Sequence, residues 1–143
     1  MAGTRPAGER IVVFDDDHYY LGGVLAELLA AEGKHVTLVT PAPIVSEFTV
    51  NTMEDEKIHR RLVEAGVDIA TFQTAAAVED GVARIVHVYT ARESQLPLDG
   101  LVLVTARLPN DALALELGAT AIGDAYAPGT IATAVWDGRR YAE

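Results

Sequence analysis

Cysteine is missing from the whole chain of 143 residues. Its absence excludes disulfides, thiol catalysis, and zinc or iron–sulfur sites with cysteine ligands. The four histidines do not replace it, because no two of them are four residues apart, the spacing that would place a ligand pair on one helix face. They are His18, His35, His59 and His87. We therefore expect no metal site.

Long apolar runs and positive charge are also scarce. No apolar segment approaches the roughly 20 residues of a membrane span. The formal net charge of −10 argues against nucleic acid and against anionic membrane surfaces as partners. Residues 1–9 are polar and lack the apolar core of a secretion signal. The sequence predicts a cytoplasmic protein with a flexible N-terminal lead over residues 1–9.

Glycine is missing where a nucleotide-binding fold would need it most. A first strand is predicted at Arg10–Asp15, and its end begins the acidic triplet Asp15, Asp16 and Asp17. A helical segment and a second strand at His35–Thr40 follow. This is the strand–helix–strand layout of a dinucleotide-binding unit, in which glycines let the backbone approach pyrophosphate at a helix N-terminus. Here Gly22 and Gly23 come only after the triplet.

The triplet should repel a diphosphate. At an effective dielectric constant near 20, one carboxylate ~5 Å from a phosphate costs about 3 kcal/mol. Three such groups would cancel most of the roughly 8 kcal/mol of a micromolar complex. Two interpretations remain open. In one, Gly22 and Gly23 serve a working site; in the other, Asp15 to Asp17 form a solvated turn that caps the helix. We favour the second, an empty degenerate site to which NAD(P) does not bind.

A response-regulator receiver is another explanation for the acidic turn. Receivers open with a similar strand and an acidic pair that holds Mg²⁺. They also need an aspartate at the end of the third strand and a lysine near the end of the fifth. Here the third predicted strand, Val67–Phe72, ends in Thr71 and Phe72, and the only lysines are Lys34 and Lys57. The phosphorylation machinery is therefore missing.

The remaining patterns indicate an α/β fold: a Rossmann-like open parallel sheet with an antiparallel β-hairpin. Helical spacing places five residues on one face that we expect to be buried: Leu21, Val24, Leu25, Leu28 and Leu29. Further elements are predicted at Ala75–Glu79 and Val82–Tyr89 (a hairpin), Leu101–Thr105 (a parallel strand), Ala112–Leu117 (a helix), Ala119–Ile122 (a strand), and from about Pro128 to Ala142 (a helix). We assign residues 10–106 to a degenerate NAD(P)-binding-type domain and 107–143 to a second segment.

A second glycine-containing motif lies near the C-terminus. Gly123-Asp124 follows a predicted strand, and Pro128-Gly129-Thr130 precedes the last helix. Glycine permits close approach, the acid accepts hydroxyl hydrogen bonds, and a helix N-terminus favours anions. The motif predicts a partial nucleotide site, although Asp124 is equally suited to cap the helix.

Together these segments resemble the C-terminal part of the trimethylamine dehydrogenase family, which includes the dimethylamine and histamine dehydrogenases. The resemblance rests on Val12–Thr40, Asn51–Glu54, Arg60–Leu62, Val102–Pro109 and Ile122–Arg140. In these enzymes a TIM barrel with FMN and a four-iron cluster precedes two glutathione-reductase-like domains. The resemblance implies a glutathione-reductase-like NAD(P)-binding domain followed by a returning segment of the FAD-like domain.

The barrel, its FMN and its cluster have no counterpart in this sequence. The resemblance therefore implies a non-catalytic accessory subunit or excised domain with a role in assembly. Its implied partner is a barrel-type FMN/iron–sulfur flavoprotein or a second copy of itself. No cofactor is expected on the chain alone, although ADP or FAD could be shared with a partner. The alternative is an electron-transfer module that binds NAD(H), FAD or ADP by itself.

Overall fold

The computed structural model describes residues 4–143, and the chain divides into two compact units, one ending at Thr105 and one beginning at Ala106. The first unit contains β1 (Arg10–Asp15), α1 (Tyr20–Ala31), β2 (His35–Val39), a 3₁₀ turn (Glu47–Thr52), α2 (Asp55–Glu64), β3 (Asp68–Ala70), β4 (Gln73–Glu79), β5 (Val82–His87), β6 (Glu93–Pro97) and β7 (Gly100–Val104). The second contains α3 (Ala112–Leu117), a 3₁₀ turn (Gly123–Ala125) and α4 (Ile131–Ala142).

Four parallel strands form the main sheet in the order β3-β2-β1-β7. This confirms the Rossmann-like α/β prediction, since strand order 3-2-1 continued by a later strand is that of dinucleotide-binding folds. In a receiver the third strand would pair with the first. Here β3 pairs with β2, and β7 takes the other side of β1.

The core lies on both faces of β1, whose side chains alternate between them. Ile11 and Val13 face the helical layer, where they pack with Ala26, Leu29 and Leu62. On the opposite face a second cluster joins the parallel sheet to the antiparallel one; its buried members are Val12, Phe14, Val39, Ala83, Ile85 and Leu98. Helices and an antiparallel sheet therefore cover the two faces of the main sheet.

The predicted hairpin is confirmed, with Glu79 paired to Val82 across Asp80 and Gly81. The antiparallel sheet has a third strand, β6, which the sequence analysis did not predict. Four of the five residues of Glu93–Pro97 are exposed, and the sequence of this strand is mostly polar. A strand with one half-buried position offers little hydrophobic alternation to detect.

The predicted buried face of α1 is partly wrong. Leu21, Val24 and Leu28 are exposed by 45%, 55% and 38%. The buried residues of the helix are Gly22, Gly23, Ala26 and Leu29. Small residues let the helix backbone lie close to the sheet, so the larger leucines and valine are turned toward the surface. The spacing of apolar residues correctly predicted the helix. The face of α1 that contacts the sheet is the one with small residues, which the spacing did not indicate.

The second unit has two helices and no strand. The prediction of a strand at Ala119–Ile122 is therefore wrong. An isolated extended segment needs a partner strand for its backbone hydrogen bonds, and this unit has none. Helix α3 has the predicted bounds, while α4 begins at Ile131 after an N-cap at Thr130.

Within residues 4–143, no helix is long and apolar enough to cross a membrane. The same residues contain no group of three or more His, Asp or Glu side chains arranged to hold a metal ion.

Asp99 anchors the segment that enters β1. Its Oδ2 accepts hydrogen bonds from the backbone N–H groups of Glu9 (3.0 Å) and Arg10 (2.8 Å). Its Oδ1 accepts a bond of 2.7 Å from Nη2 of Arg10. The guanidinium and the two N–H donors hold the pKa of the Asp99 carboxyl well below its usual range.

We predict that Asp99→Asn lowers the free energy of unfolding, because the charged form of Asp99 is the form that these donors stabilise. A carboxyl whose pKa is lower in the folded state contributes stability above its unfolded pKa, near 4, and loses it as the pH falls toward the folded value. The deficit of the variant, measured by urea unfolding, should be largest above about pH 5 and narrow below pH 4. Glu64→Gln, at the exposed end of α2, is the control. If the deficit does not change with pH, the charged form of Asp99 is not the form that stabilises the fold.

Candidate dinucleotide-binding site

Asp15 ends β1 and is completely buried. Its Oδ1 accepts hydrogen bonds from the backbone N–H groups of Asp17 (3.2 Å) and His18 (3.4 Å), both of which precede α1. The N-cap of α1 is Tyr19, and it makes no side-chain capping bond. The prediction of a solvated, helix-capping turn is therefore wrong for Asp15, whose carboxyl is buried and orders the turn before the helix.

The second oxygen of this carboxyl, Oδ2, is buried and has no hydrogen-bond partner among the described residues. Burial raises the pKa of Asp15. The two backbone N–H donors on Oδ1 act in the opposite direction with smaller effect. The fold therefore holds this carboxyl despite a desolvation cost.

Gly22, in the first turn of α1, lies directly against this carboxyl. A Cβ atom added at Gly22 would lie 2.4 Å from Cγ of Asp15 and 2.5 Å from Oδ2. Side-chain carbons do not approach so closely, so only glycine fits here while Asp15 is present. In a dinucleotide-binding turn the space between strand end and helix start serves the approach of pyrophosphate. Here the Asp15 side chain fills it.

The other members of the predicted turn lie elsewhere. Asp16 is exposed, and its Oδ1 lies 3.4 Å from Nε2 of His18. Gly23 faces α2, where an added Cβ would meet Oγ of Ser46 at 3.5 Å and a methyl of Ile58 at 3.6 Å, both ordinary contacts. Asp15 and Asp16 therefore differ in environment, because Asp15 is buried beside the helix and Asp16 lies at the surface.

The C-terminal motif forms a loop of its own within the second unit. Gly123 is buried with a left-handed φ of 57°, and Oδ1 of the exposed Asp124 accepts a 3.1 Å bond from the N–H of Gly129. The Thr130 side chain caps α4 by accepting from the N–H of Thr133. The carbonyl of Gly129 accepts from Nη1 of Arg107 at 3.2 Å. The structure thus brings Asp124 and Gly129 together and leaves the Asp124 carboxylate at the surface.

A cluster of rings was missed by the sequence reasoning. Phe72, His87 and Tyr89 have ring centroids 5.6–6.3 Å apart. The strand pattern places His87 and Tyr89 on one face, but Phe72 comes from a different strand end. No local spacing connects it to the other two.

Comparison with known proteins identifies the relatives. A family model described as "OYE-like second alpha/beta domain" matches residues 1–105. Dimethylamine dehydrogenase from Hyphomicrobium sp. (strain x) is 28% identical, with a match that covers 98% of this chain and 23% of that protein.

The similar solved structures include two amine-oxidising enzymes. Histamine dehydrogenase from Rhizobium sp. 4-9 gives a TM-score of 0.86 at 39% identity, with 96% of this chain and 23% of that chain covered. The 6-hydroxypseudooxynicotine amine oxidase of Pseudomonas geniculata N1 gives 0.85 at 32% identity, covering 94% and 22%. The chain therefore spans less than a quarter of the length of these relatives.

The fold and the turn define an α/β domain of the kind found in flavoprotein oxidoreductases, built on a Rossmann-like sheet. The chain belongs to the family of OYE-like second alpha/beta domains, which matches its first unit. The resemblance to the trimethylamine dehydrogenase family is confirmed by the dimethylamine and histamine dehydrogenases among its relatives.

We predict that Gly22→Ala destabilises the fold by about 2 kcal/mol, the cost of forcing a methyl into a filled site. Asp15→Gly in the same chain should recover most of that loss, because it removes both the carboxyl and its Cβ. A double-mutant cycle from urea unfolding measures this coupling.

Gly23→Ala is the matched control, one residue along the same helix. Its new methyl makes only ordinary contacts, so the better helix propensity of alanine should leave stability unchanged or raise it by up to about 1 kcal/mol. Additive effects of the Asp15 and Gly22 substitutions would disprove the proposed contact.

Proposed function

We propose that this chain is a non-catalytic structural module of a trimethylamine-dehydrogenase-like flavoenzyme, with a dinucleotide site closed by its own side chain. The observation that carries the proposal is the buried Asp15 carboxyl packed against Gly22. The Rossmann-like sheet keeps its architecture, but a side chain occupies the space where a phosphate would bind. We therefore infer that the domain no longer binds a dinucleotide and still packs against other parts of the enzyme.

Two barriers act at the same position. The steric barrier is independent of protonation, because a neutral carboxyl is as large as a charged one. The electrostatic barrier adds to it whenever Asp15 is ionised, since a carboxylate beside a diphosphate is unfavourable. A change that removes charge but keeps volume should therefore leave the site closed.

The second unit supports a role in assembly. Of residues 106–143, Gly123 alone is buried. Its large apolar side chains are exposed by 60% or more at Leu108, Leu113, Leu115, Leu117, Ile131, Val135 and Trp136. Segments of about 40 residues rarely bury enough surface to be stable alone. We infer that this unit is completed by a barrel-type FMN/iron–sulfur flavoprotein, or else by a second copy of the chain.

The exposed loop of the second unit supports a shared cofactor. Gly123, Asp124, Pro128, Gly129 and Thr130 lie in or beside this one loop before α4. In this proposal Asp124 exchanges its bond to Gly129 N–H for a hydroxyl group of ADP or FAD. The remainder of that site would come from the partner, so the chain alone should bind these nucleotides weakly.

We predict that the purified chain gives no binding isotherm with NADH at micromolar concentrations, while Asp15→Gly gains measurable affinity. Isothermal titration calorimetry with NADH, ADP and FAD tests this directly. Asp15→Asn should remain closed, because it keeps the volume and the Oδ1 acceptor. Asp16→Gly, at an exposed position of the same turn, controls for added backbone freedom.

Micromolar NADH binding by the unaltered chain would refute the closed site and favour an electron-transfer module. Circular dichroism of each variant separates loss of fold from loss of binding. Co-migration of the chain with a flavoprotein that carries FMN and an iron–sulfur cluster tests the assembly role separately.

A further inference from the structure

The outer face of helix α1 is apolar and exposed. Leu21, Val24 and Leu28 are exposed by 45%, 55% and 38%, and Ala31 is also exposed. Their spacing of three and four residues places them in one row along the helix, called here the α1 seam. This row lies on the side of α1 opposite the buried face that contacts the sheet. Apolar rows with this spacing are the pattern by which two helices pair.

The composition of α1 is that of a helix covered on both sides. Among its twelve residues Glu27 is the only charged one. A helix with one face in water carries charged residues on that face. Helix α2 does so, because its exposed residues are mostly charged: Glu56, Lys57, Arg60, Arg61 and Glu64. The outer face of α1 is instead apolar, so we expect it to be covered by a partner.

The acidic groups beside the seam are paired within the chain. On one flank, Oε1 of Glu27 accepts hydrogen bonds from Nε (3.2 Å) and Nη2 (2.6 Å) of Arg61 on α2. On the other flank, Oε1 of Glu32 accepts a bond of 2.9 Å from Nε of Arg5. Each flank therefore carries an ion pair without net charge. A second copy of the seam can approach it even though the whole chain has a formal net charge of −10.

We propose that two copies of the chain pair through the α1 seam, with the two helices antiparallel about a two-fold axis. In this register Leu21 packs on the partner's Ala31, and Val24 packs on the partner's Leu28. Each contact occurs twice because of the symmetry. A large side chain meets a smaller one at both positions, so the two seams fit each other.

The charges at the seam favour the antiparallel arrangement. A parallel pair would place Glu27 beside the partner's Glu32, and it would also align the two helix dipoles. In the antiparallel pair the Glu27–Arg61 ion pair lies beside its own symmetry copy. The bonds to Glu27 use two of the five guanidinium N–H donors of Arg61, and the others can reach the partner's Glu27.

The seam is short, so the dimer is weak. A helix of twelve residues is about 18 Å long, and a contact of that length lies below the size of stable dimer interfaces. We expect a dissociation constant of roughly 100 µM. The contact is formed by the first unit alone. It therefore depends neither on the closed dinucleotide site nor on the assembly role of the second unit, and goes beyond the proposed function.

Sedimentation equilibrium of the full chain, at concentrations on either side of roughly 100 µM, tests the proposal. We expect a monomer–dimer equilibrium. Val24→Glu places a charge in each half of the contact and should weaken association at least about tenfold. Val135→Glu is the matched control, because Val135 is an exposed valine on α4 outside the seam, and it should leave association unchanged. Circular dichroism of each variant verifies that it is folded.

A mixture of two variants tests the register. Leu28→Lys alone should also weaken association, but mixed with Val24→Glu it should restore a heterodimer, because the new carboxylate then faces the new ammonium group. A chain that stays monomeric well above 100 µM would overturn the proposal. So would a dimer that persists in Val24→Glu and is lost in Val135→Glu, because its contact would lie on the second unit. Failure of the mixture to associate would overturn the antiparallel pairing.

Discussion

The contact between Asp15 and Gly22 determines the arrangement of the first unit around the start of α1. The carboxyl follows directly from the most buried strand, so it cannot turn toward solvent without moving β1. Its bonds to the N–H groups of Asp17 and His18 order the turn. Glycine at position 22 then lets the helix lie over the strand, which brings Ala26 and Leu29 into the core.

The same contact is the basis of the proposal that this Rossmann-like architecture holds no dinucleotide. Helix N-termini attract anions through their dipole and their free N–H groups. In this chain the nearest acidic group is part of the fold and lies against the first helical turn. The backbone N–H groups of Asp17 and His18, just before the helix, offset part of the desolvation cost of burying Asp15. In the proposed function, the Asp15 carboxyl occupies the position that a phosphate would take.

Sequence patterns predicted the four parallel strands of the first unit because buried parallel strands such as Ile11–Phe14 are continuous apolar runs. They did not predict which face of α1 is buried, since Gly22 and Gly23 carry no hydrophobic signal and yet make the closest contacts. They also treated Asp15, Asp16 and Asp17 as one acidic group. A sequence shows which residues are charged. It does not show which of these aspartates is buried, because that depends on the path of the backbone after β1.

The two units differ in what they can do alone. The first unit has buried clusters on both faces of its sheet and matches a family model over residues 1–105. The second extends the match to relatives that cover 96% or more of the chain, yet its helices bury almost none of their apolar side chains. Apolar side chains stabilise a fold only when they are buried. In the proposed function, the first unit therefore supplies the free energy of folding, and the second unit supplies apolar surface for a partner to bury. The boundary at Thr105 thus separates a unit with a buried core from a unit whose apolar side chains are exposed.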